Sequence, residues 1–380
     1  MRSKDKFRGC LIGGAAGDAL GYAVEFMEDA DIFRKYGENG ITDYELYKGT
    51  AQISDDTQMT LFTATGLLLG TTRGMFRGIM GAYEDYIRHS NKDWYRTQKE
   101  HYPLLEEYHY SWLVNVPELF SRRAPGNTCM SALGSSEKGS VKHPINRSKG
   151  CGGVMRVAPI GLYFSEKRMP IERSDMIGAE AAAITHGHEL GWLPAAVLVH
   201  IIRHLIENDG ETILAAVQDA RFTLPDVYPE AEKMDVLQAL LQKAIDLSKS
   251  ELDDLDAIRQ LGQGWVGEEA LAIAVYCALK HSDSFEDAIV AAVNHSGDSD
   301  STGAIAGNIM GAALGLQAIP EKYLDKLELR DVILELADDL FNDCQMEEYG
   351  DYEDPIWEAK YVRMDYQRLC SLRQRLLRFE

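Results

Sequence analysis

Two short acidic segments, far apart in the chain, contain the residues best suited to chemistry. The first spans residues 54–57 (Ser-Asp-Asp-Thr), and the second spans residues 297–303 (Gly-Asp-Ser-Asp-Ser-Thr-Gly). Carboxylates held this close repel one another unless a positive charge lies between them. Oxygen ligands at this density suit Mg²⁺, Ca²⁺ or Mn²⁺. If the two segments meet in space, they form a site for one or two divalent cations.

Helix capping is the alternative interpretation of both segments. Ser54 suits an N-cap position, with Asp55 and Asp56 in the first turn that follows, and Asp298 precedes a second helical pattern. Capping explains either segment taken alone, but a cap needs only one such residue. An EF-hand loop would need glutamate at its twelfth position, where this chain has Ile309. Taken together, the two segments therefore favour a metal site.

Two further carboxylates lie near the start of the chain. Glu25 is flanked by Val24 and Phe26, and an apolar setting of this kind raises a carboxyl pKa and suits acid–base catalysis. A surface glutamate is the default interpretation of the same position. Asp18, embedded among glycines and alanines, is predicted to be a buried, hydrogen-bonded support.

A glycine-rich loop and three histidines complete the candidates. Residues 150–153 (Gly-Cys-Gly-Gly) free backbone N–H groups to approach a phosphate, although a flexible turn explains them equally simply. His186 and His188 are two residues apart and do not share a helix face, so a zinc pair is not expected. His186 is either a ligand contact or a core histidine, and His295 is a candidate neighbour of the second acidic segment.

The elements that must position these residues are predicted to be helices. Apolar, helix-length runs cover residues 193–206, 270–279, 286–293 and 304–316, and alternating strand patterns are nearly absent. We therefore expect an all-α fold. Since no Gly-, Pro- or Ser-rich linker divides the chain, it is predicted to form a single domain over residues 1–380. Residues 347–380 are interpreted as a C-terminal extension, with a terminal helix from residue 357 onward.

Glycines recur every four residues in two places. They are Gly9, Gly13, Gly17 and Gly21, and then Gly303, Gly307, Gly311 and Gly315. On a helix each series forms one ridge without side chains. Because glycine inside a helix costs about 1 kcal/mol relative to alanine, the repeats predict close backbone contact with another helix. Both glycine helices are expected at the centre of the protein.

The aromatic segment 91–125 has two interpretations of equal weight. It is either a lid over a cleft or a surface excursion packed by its own aromatic side chains.

Composition limits the partners and the compartment. The formal charge of −21 repels nucleic acid and anionic lipid, so neither is an expected partner. The apolar run 304–319 is interrupted and short for a membrane span, which takes about 20 apolar residues. Residues 1–16 resemble a signal peptide in composition, but Asp5 and Asp18 favour a helix that belongs to the folded protein. The six cysteines are scattered without a paired motif, which favours a reducing, cytoplasmic setting.

From about residue 7 to residue 316 the chain resembles the ADP-ribosylglycohydrolase family. The resemblance rests on residues 17–25, both acidic segments, residues 150–156 (Gly-Cys-Gly-Gly-Val-Met-Arg) and the Thr-His pair at 185–186. The two acidic motifs in this order are highly specific, and the glycine loop is moderately so. The resemblance implies an all-α globular domain with a central cleft that holds two Mg²⁺ ions, for which Mn²⁺ is a substitute.

The resemblance also implies roles for individual residues. The metal ligands would be Ser54, Asp55, Asp56, Asp298, Asp300 and Ser301. The catalytic residues would be Glu25, Asp56 and Asp300, and the residue that moves the proton is left open. The substrate-binding residues would be Ser148, Gly150, Cys151, Gly152, Gly153, Met155 and His186. Cys151 occupies a position that is often Asn in the family, so one side-chain donor to the ligand is missing.

The implied reaction is Mg²⁺-dependent hydrolysis of the N- or O-glycosidic bond between ADP-ribose and a protein side chain. Arginine is the favoured acceptor, and the expected partner is an ADP-ribosylated protein. A catalytically inactive, ADP-ribose-binding member of the family is the main alternative, although every implied metal-ligand position is filled. A phosphohydrolase that attacks the diphosphate is a third possibility. The oligomeric state is left open.

Overall fold

The computed structural model describes residues 2–105 and 108–376. Within these ranges the regular structure is helical, and the only β-type pairings are isolated bridges such as Ala51 with Leu327 and Gly150 with Val266. The prediction of an all-α fold is confirmed. The prediction of one domain with a C-terminal extension over residues 347–380 stays a prediction.

The helices follow one another with short connections. They are α1 (Lys4–Tyr22), α2 (Asp29–Tyr36), α3 (Asp55–Arg77), α4 (Tyr83–Thr97), α5 (Asn127–Gly134), α6 (Ala158–Tyr163), α7 (Ile171–Ala183), α8 (Glu189–Glu207), α9 (Ile213–Val227), α10 (Met234–Ser248), α11 (Asp254–Leu261), α12 (Gly267–Lys280), α13 (Phe285–Val293), α14 (Ser299–Leu314), α15 (Arg330–Asn342), α16 (Pro355–Trp357) and α17 (Tyr366–Leu376). Short 3₁₀ turns lie at Trp112–Asn115, Pro117–Phe120, Cys151–Gly153, Leu316–Ala318 and Glu321–Tyr323, and a π-helical turn lies at Glu358–Val362.

The two glycine helices pack directly on each other in antiparallel fashion. A Cβ atom added to Gly13 would lie 2.4 Å from the carbonyl oxygen of Gly307, and one added to Gly17 would lie 2.0 Å from that of Gly303. No side chain fits between backbones at this distance, which confirms the predicted close contact. Because the helices are antiparallel, the end of α1 lies beside the start of α14.

Asp18 ties the start of α3 to the C-terminal part of α1. Its fully buried carboxylate accepts hydrogen bonds from the backbone N–H of Ser54 (3.0 and 3.1 Å) and of Thr57 (3.0 Å), and from the Thr57 hydroxyl. The predicted support role of Asp18 is confirmed. The starts of α3 and α14, which are the two acidic segments, are thereby brought to the same end of α1.

In two segments the structure differs from the prediction. Residues 91–97 are the end of α4, so the irregular segment starts later than expected, and its Trp112 is buried. The tail is not one helix from residue 357: the chain breaks between the π-helical turn and α17, where Met364 takes a positive φ of 53°. The tail packs on the core, since the Trp357 indole N–H donates to the Thr72 hydroxyl (3.0 Å).

Helix α8 is the one described helix long and apolar enough to cross a membrane. However, 89% of its most apolar window is buried inside the protein. Burial of this kind is typical of a core helix.

Candidate active site

A cleft of about 350 Å³ opens where the end of α1, the starts of α3 and α14, and the glycine loop converge. It contains most of the residues that the sequence singled out. Its lining includes Glu25, Asp55, Asp56, Gly150, Cys151, Gly152, Met155, His186, Asp298, Asp300 and Ser301. It also includes residues 124–129 and two aromatic side chains, Phe26 and Trp265.

The two acidic segments meet in this cleft. The hydroxyl of Ser301 donates a hydrogen bond to Oδ2 of Asp56 at 2.7 Å, across 245 positions of sequence. Carboxylate oxygens of Glu25, Asp298 and Asp300 lie within 4.8 Å of one another. Glu25 is buried, so it is not the surface glutamate of the default interpretation.

Ser54 and Asp55 occupy supporting positions at the same place. Ser54 is the N-cap of α3, and its hydroxyl accepts a hydrogen bond from the backbone N–H of Asp56 at 3.2 Å. Its side chain is fully buried, and its interaction with the Asp300 carboxyl group opposes the rise in the pKa of Asp300 that burial causes. Asp55 accepts a hydrogen bond from the backbone N–H of Gly126 at 3.1 Å, which ties the 124–129 segment to the acidic cluster.

Burial and mutual repulsion disfavour the ionised form of the carboxyl groups in this cluster. Burial raises the pKa of Glu25 to about 10, and the groups that add to this shift are the carboxylates of Asp300, Asp298, Asp55 and Asp18. Burial likewise raises the pKa of Asp55, Asp56 and Asp298 well above the ordinary value. Carboxylates in this state are neutralised either by protons or by cations.

The donor set fits a hard divalent cation. Every ligand candidate at the meeting point is a carboxylate or a hydroxyl, which are the ligands of Mg²⁺ and Mn²⁺. Oε2 of Glu25 is buried without a hydrogen-bond partner, so it has a free position for a cation, a water or a proton. The assigned ligand roles stay predictions, and the geometry is compatible with them.

The glycine loop forms one wall of the cleft as a 3₁₀ turn rather than as the start of an α-helix. A Cβ on Gly152 would lie 3.0 Å from Cε1 of His186, and one on Gly150 would lie 3.3 Å from its Nε2. These two glycines therefore keep the space beside the histidine open. The Cys151 thiol donates to Oδ2 of Asp298 at 2.7 Å, which joins the loop to the second acidic segment.

Two loop residues that were expected to bind substrate lie away from the cleft lining. Gly153 packs against α8, where an added Cβ would lie 2.5 Å from the carbonyl oxygen of Gly191. Ser148 hydrogen-bonds to the hydroxyl of Thr128 at 3.1 Å, and it is Thr128 that lines the cleft. Both residues help to hold the loop in place, and their predicted roles in substrate binding stay predictions.

A buried arginine braces the glycine loop and His186. Arg156 donates to the carbonyl oxygen of Gly152 (2.7 Å) and to the Thr185 hydroxyl (2.7 Å), and that hydroxyl lies 2.8 Å from Nδ1 of His186. Burial, with a smaller effect of Arg156, lowers the pKa of His186 to about 3, so the imidazole is neutral. Arg156 belongs to the motif at residues 150–156, but no role was predicted for it. A charged residue inside an apolar run was the signal that could have identified it as a buried support.

The aromatic pair at the cleft was also missed. Phe26 stacks on Trp265 with ring centroids 6.0 Å apart and planes 17° apart, and the two side chains are 74% and 40% exposed. Phe26 was identifiable as the residue after Glu25. Trp265 lies before α12, and no local pattern connects it to the other cleft residues.

Comparison with known proteins agrees with this arrangement. The family model described as ADP-ribosylglycohydrolase matches residues 1–350. The ADP-ribosyl-[dinitrogen reductase] glycohydrolase of Rhodospirillum rubrum is 26% identical, over 86% of this chain and 91% of that protein. The ADP-ribosylarginine hydrolase Tri1 of Serratia proteamaculans is 27% identical, over 89% of this chain and 80% of that protein.

A solved structure shows the same fold. An "ADP-ribosylglycohydrolase-related protein complex" chain superposes with a TM-score of 0.52 and 22% identity, covering 89% of this chain and 98% of that chain. The family match and the names of the relatives together identify an all-α hydrolase of glycosyl bonds. The chain belongs to the ADP-ribosylglycohydrolase family.

Proposed function

We propose that this protein is a Mg²⁺-dependent hydrolase that releases ADP-ribose from a modified protein side chain, with arginine as the favoured acceptor. The observation that carries the proposal is the contact between Ser301 and Asp56, which places both acidic segments in one cleft with Glu25. Two ions are proposed, with Mn²⁺ as a substitute. The names of two relatives, which specify dinitrogen reductase and ADP-ribosylarginine, support the substrate class.

The chain's own residues can perform the steps of glycoside hydrolysis. When bound, Mg²⁺ would be held by Asp55, Asp56, Asp298, Asp300 and Ser301, and it would polarise a water and offset the charge of the substrate. The carboxylates around it would stabilise the positive charge that develops on the sugar ring in an oxocarbenium-like transition state.

Glu25 is the strongest candidate for proton transfer. Glu25 lines the cleft, and its Oε2 has no hydrogen-bond partner among the described residues, so it can accept a proton from the attacking water or supply one to the leaving group. Its high pKa, caused by burial and by the neighbouring carboxylates, favours the protonated form until a cation offsets their charge.

The glycine loop and His186 would hold the diphosphate. The neutral imidazole of His186 carries one N–H, and the glycines at 150 and 152 leave room for a ligand beside it. The segment from Ala124 to Cys129 and the Phe26–Trp265 pair border the remaining part of the cleft, where the acceptor side chain would lie.

The experiment is a hydrolysis assay with protein substrates that carry ADP-ribose on arginine or on serine, with Mg²⁺ or with a chelator. We expect release of free ADP-ribose that requires the cation, and faster release from arginine. Asp55→Ala should abolish turnover, whereas Asp331→Asn, at a side chain that is 88% exposed, should behave as wild type. Release of AMP would contradict glycosidic cleavage, and binding of ADP-ribose without turnover would favour the inactive alternative.

A cytoplasmic location is part of the same proposal. All six cysteines lie in the described part of the chain and are free thiols. Free thiols of this number suit a reducing compartment. Fractionation of the producing cell would test the location directly.

A further inference from the structure

Three side chains with nitrogen and oxygen donors converge between α8 and α9, outside the cleft. His200 and His204 are one turn apart on α8, so their rings share one face of the helix, and Asp219 reaches them from α9. One ligand atom from each of the three lies within 4.8 Å of the other two. Sequence analysis did not single out any of these residues, and none of them lines the cleft.

The distances within the cluster are close to those between the ligand atoms of a tetrahedral metal ion. Nε2 of His200 lies 3.0 Å from Oδ2 of Asp219, and Nδ1 of His204 lies 3.1 Å from the same oxygen. Tetrahedral Zn²⁺, with bonds of about 2.0–2.1 Å to nitrogen and oxygen, separates its ligand atoms by about 3.3–3.4 Å. Small side-chain shifts would therefore admit such an ion.

A buried carboxylate orients the central histidine. Nδ1 of His200 lies 2.8 Å from Oδ2 of Asp175 on α7, and both side chains are completely buried. A histidine that donates Nδ1–H to a carboxylate directs the lone pair of Nε2 outward, which is the usual second-shell arrangement of metal-bound histidines. Here that lone pair is directed at Asp219.

A positive charge between His200 and Asp219 would stabilise this geometry. If His200 is neutral and donates to Asp175, then Nε2 and Oδ2 of Asp219 are two electron-rich atoms in contact. Three arrangements resolve that contact: a second proton on His200, a neutral His200 protonated on Nε2 beside a protonated Asp175, or a metal ion. Among the described residues, Oδ1 of Asp175 is buried without a hydrogen-bond partner, so this carboxyl group keeps an unused acceptor beside the cluster.

We propose that His200, His204 and Asp219 form a binding site for a transition-metal ion of the Zn²⁺ type, which fastens α8 to α9. Two imidazoles and one carboxylate favour Zn²⁺ over Mg²⁺, which takes oxygen ligands. The Asp219 side chain is 44% exposed, so ions can enter from solvent and a water can complete the coordination. The site is independent of the proposed glycosidase activity.

The test is zinc titration of the untagged, chelator-stripped full chain by calorimetry, with excess Mg²⁺ present to compete for the acidic cleft. We expect one tight Zn²⁺ per chain and a higher melting temperature with zinc than without it. Co²⁺ should give the visible absorption of a tetrahedral site with nitrogen ligands, and this absorption should depend on His204 and Asp219.

Variants identify the ligands. His204→Ala and Asp219→Asn, both at partly exposed side chains, should lose the tight zinc site and the cobalt absorption, while His143→Ala, at an exposed histidine outside the cluster, should bind as wild type. Asp175→Asn should weaken zinc binding by about 10–100-fold. Mg²⁺-dependent turnover should be unchanged in His204→Ala.

Two results would overturn the site. Equal zinc affinity in wild type, His204→Ala and Asp219→Asn would place the ion elsewhere. Absence of tight zinc binding in the wild type would show that the cluster holds only protons. Both results are distinct from a failure of ADP-ribose hydrolysis, which is measured with Mg²⁺ alone.

Discussion

The acidic cleft and the histidine cluster both collect charged groups inside the protein, but they balance charge in different ways. In the cleft, the groups around Glu25 are other carboxylates, and burial together with their mutual repulsion raises its pKa to about 10. In the cluster, carboxylates face imidazoles. Burial opposes ionisation of Asp219, but hydrogen bonds from His200 and His204 outweigh it and lower the Asp219 pKa.

The difference explains why the two sites call for different ions. A cluster of carboxylates with no internal cation depends on protons or on a hard ion supplied from outside. A cluster that pairs Asp219 with two histidines can balance itself with protons, and it admits a metal only if that metal competes for the imidazole nitrogens. Variants that affect only one of the two sites therefore test the proposed ion at that site.

The largest effect should come from Asp300 in the cleft. Asp300→Asn keeps the shape but removes a charge from the meeting point of both acidic segments, so turnover should fall by about 10²–10⁴-fold. Steady-state rates with saturating Mg²⁺ would measure this loss, with Asp331→Asn as the matched control. Near-normal turnover of Asp300→Asn would remove Asp300 from the catalytic machinery, while zinc binding at the histidine cluster should be unaffected.

The next effect should come from the glycine contact that positions the cleft. In Gly307→Ala the new Cβ would lie 2.0 Å from the carbonyl oxygen of Gly13, which forces α1 and α14 apart. Helix propensity alone would favour alanine by about 1 kcal/mol, but overpacking should dominate and destabilise the fold by about 1–3 kcal/mol.

Urea unfolding would measure this change in the free energy of unfolding. Gly350→Ala is the control, because its Cβ would have no neighbour closer than 3.4 Å. A stabilised Gly307→Ala protein would contradict the close backbone contact. Zinc binding between α8 and α9 should survive better than catalysis, since the disturbed contact joins α1 to α14, the two helices whose ends border the acidic cleft.

A smaller effect concerns pH and the cleft carboxylates. The folded-state pKa of Glu25 is above its ordinary value, so the metal-free folded protein retains a proton that the unfolded chain releases. Stability from this group is therefore present at low pH and is lost as pH rises from about 4.5 towards 10. Mg²⁺ should raise the melting temperature more at about pH 8 than at about pH 5.5, as thermal denaturation with Mg²⁺ or chelator would show. An equal rise at both pH values would contradict the raised carboxyl pKa.

The smallest effect is expected at the zinc-free histidine cluster. His204→Ala removes one hydrogen bond to the half-exposed Asp219, so the free energy of unfolding should fall by about 0.5–1.5 kcal/mol. Denaturant unfolding in the presence of chelator would measure it, with His143→Ala as reference. A loss several times larger would indicate that the hydrogen bonds of the cluster stabilise the fold strongly even without a metal.

Local interactions explain what could be predicted from the sequence. Ser54 caps α3 and Asp18 is a buried support, as expected, because these roles depend on residues close by or on an unusual apolar setting. The four-residue glycine spacing predicted a close helix contact, although not that the two ridges contact each other. The tail was misjudged because its helical pattern does not reveal the break at Met364.

The sequence by itself thus determined the helical class, the two acidic helix starts, the glycine ridges and, through the motifs, the family. The tertiary structure decided which distant segments meet. It placed Ser301 against Asp56, Cys151 against Asp298, and His200 between carboxylates of two other helices. The physical reason is that capping and periodicity act over a few residues, whereas these contacts join residues brought together only when the helices pack.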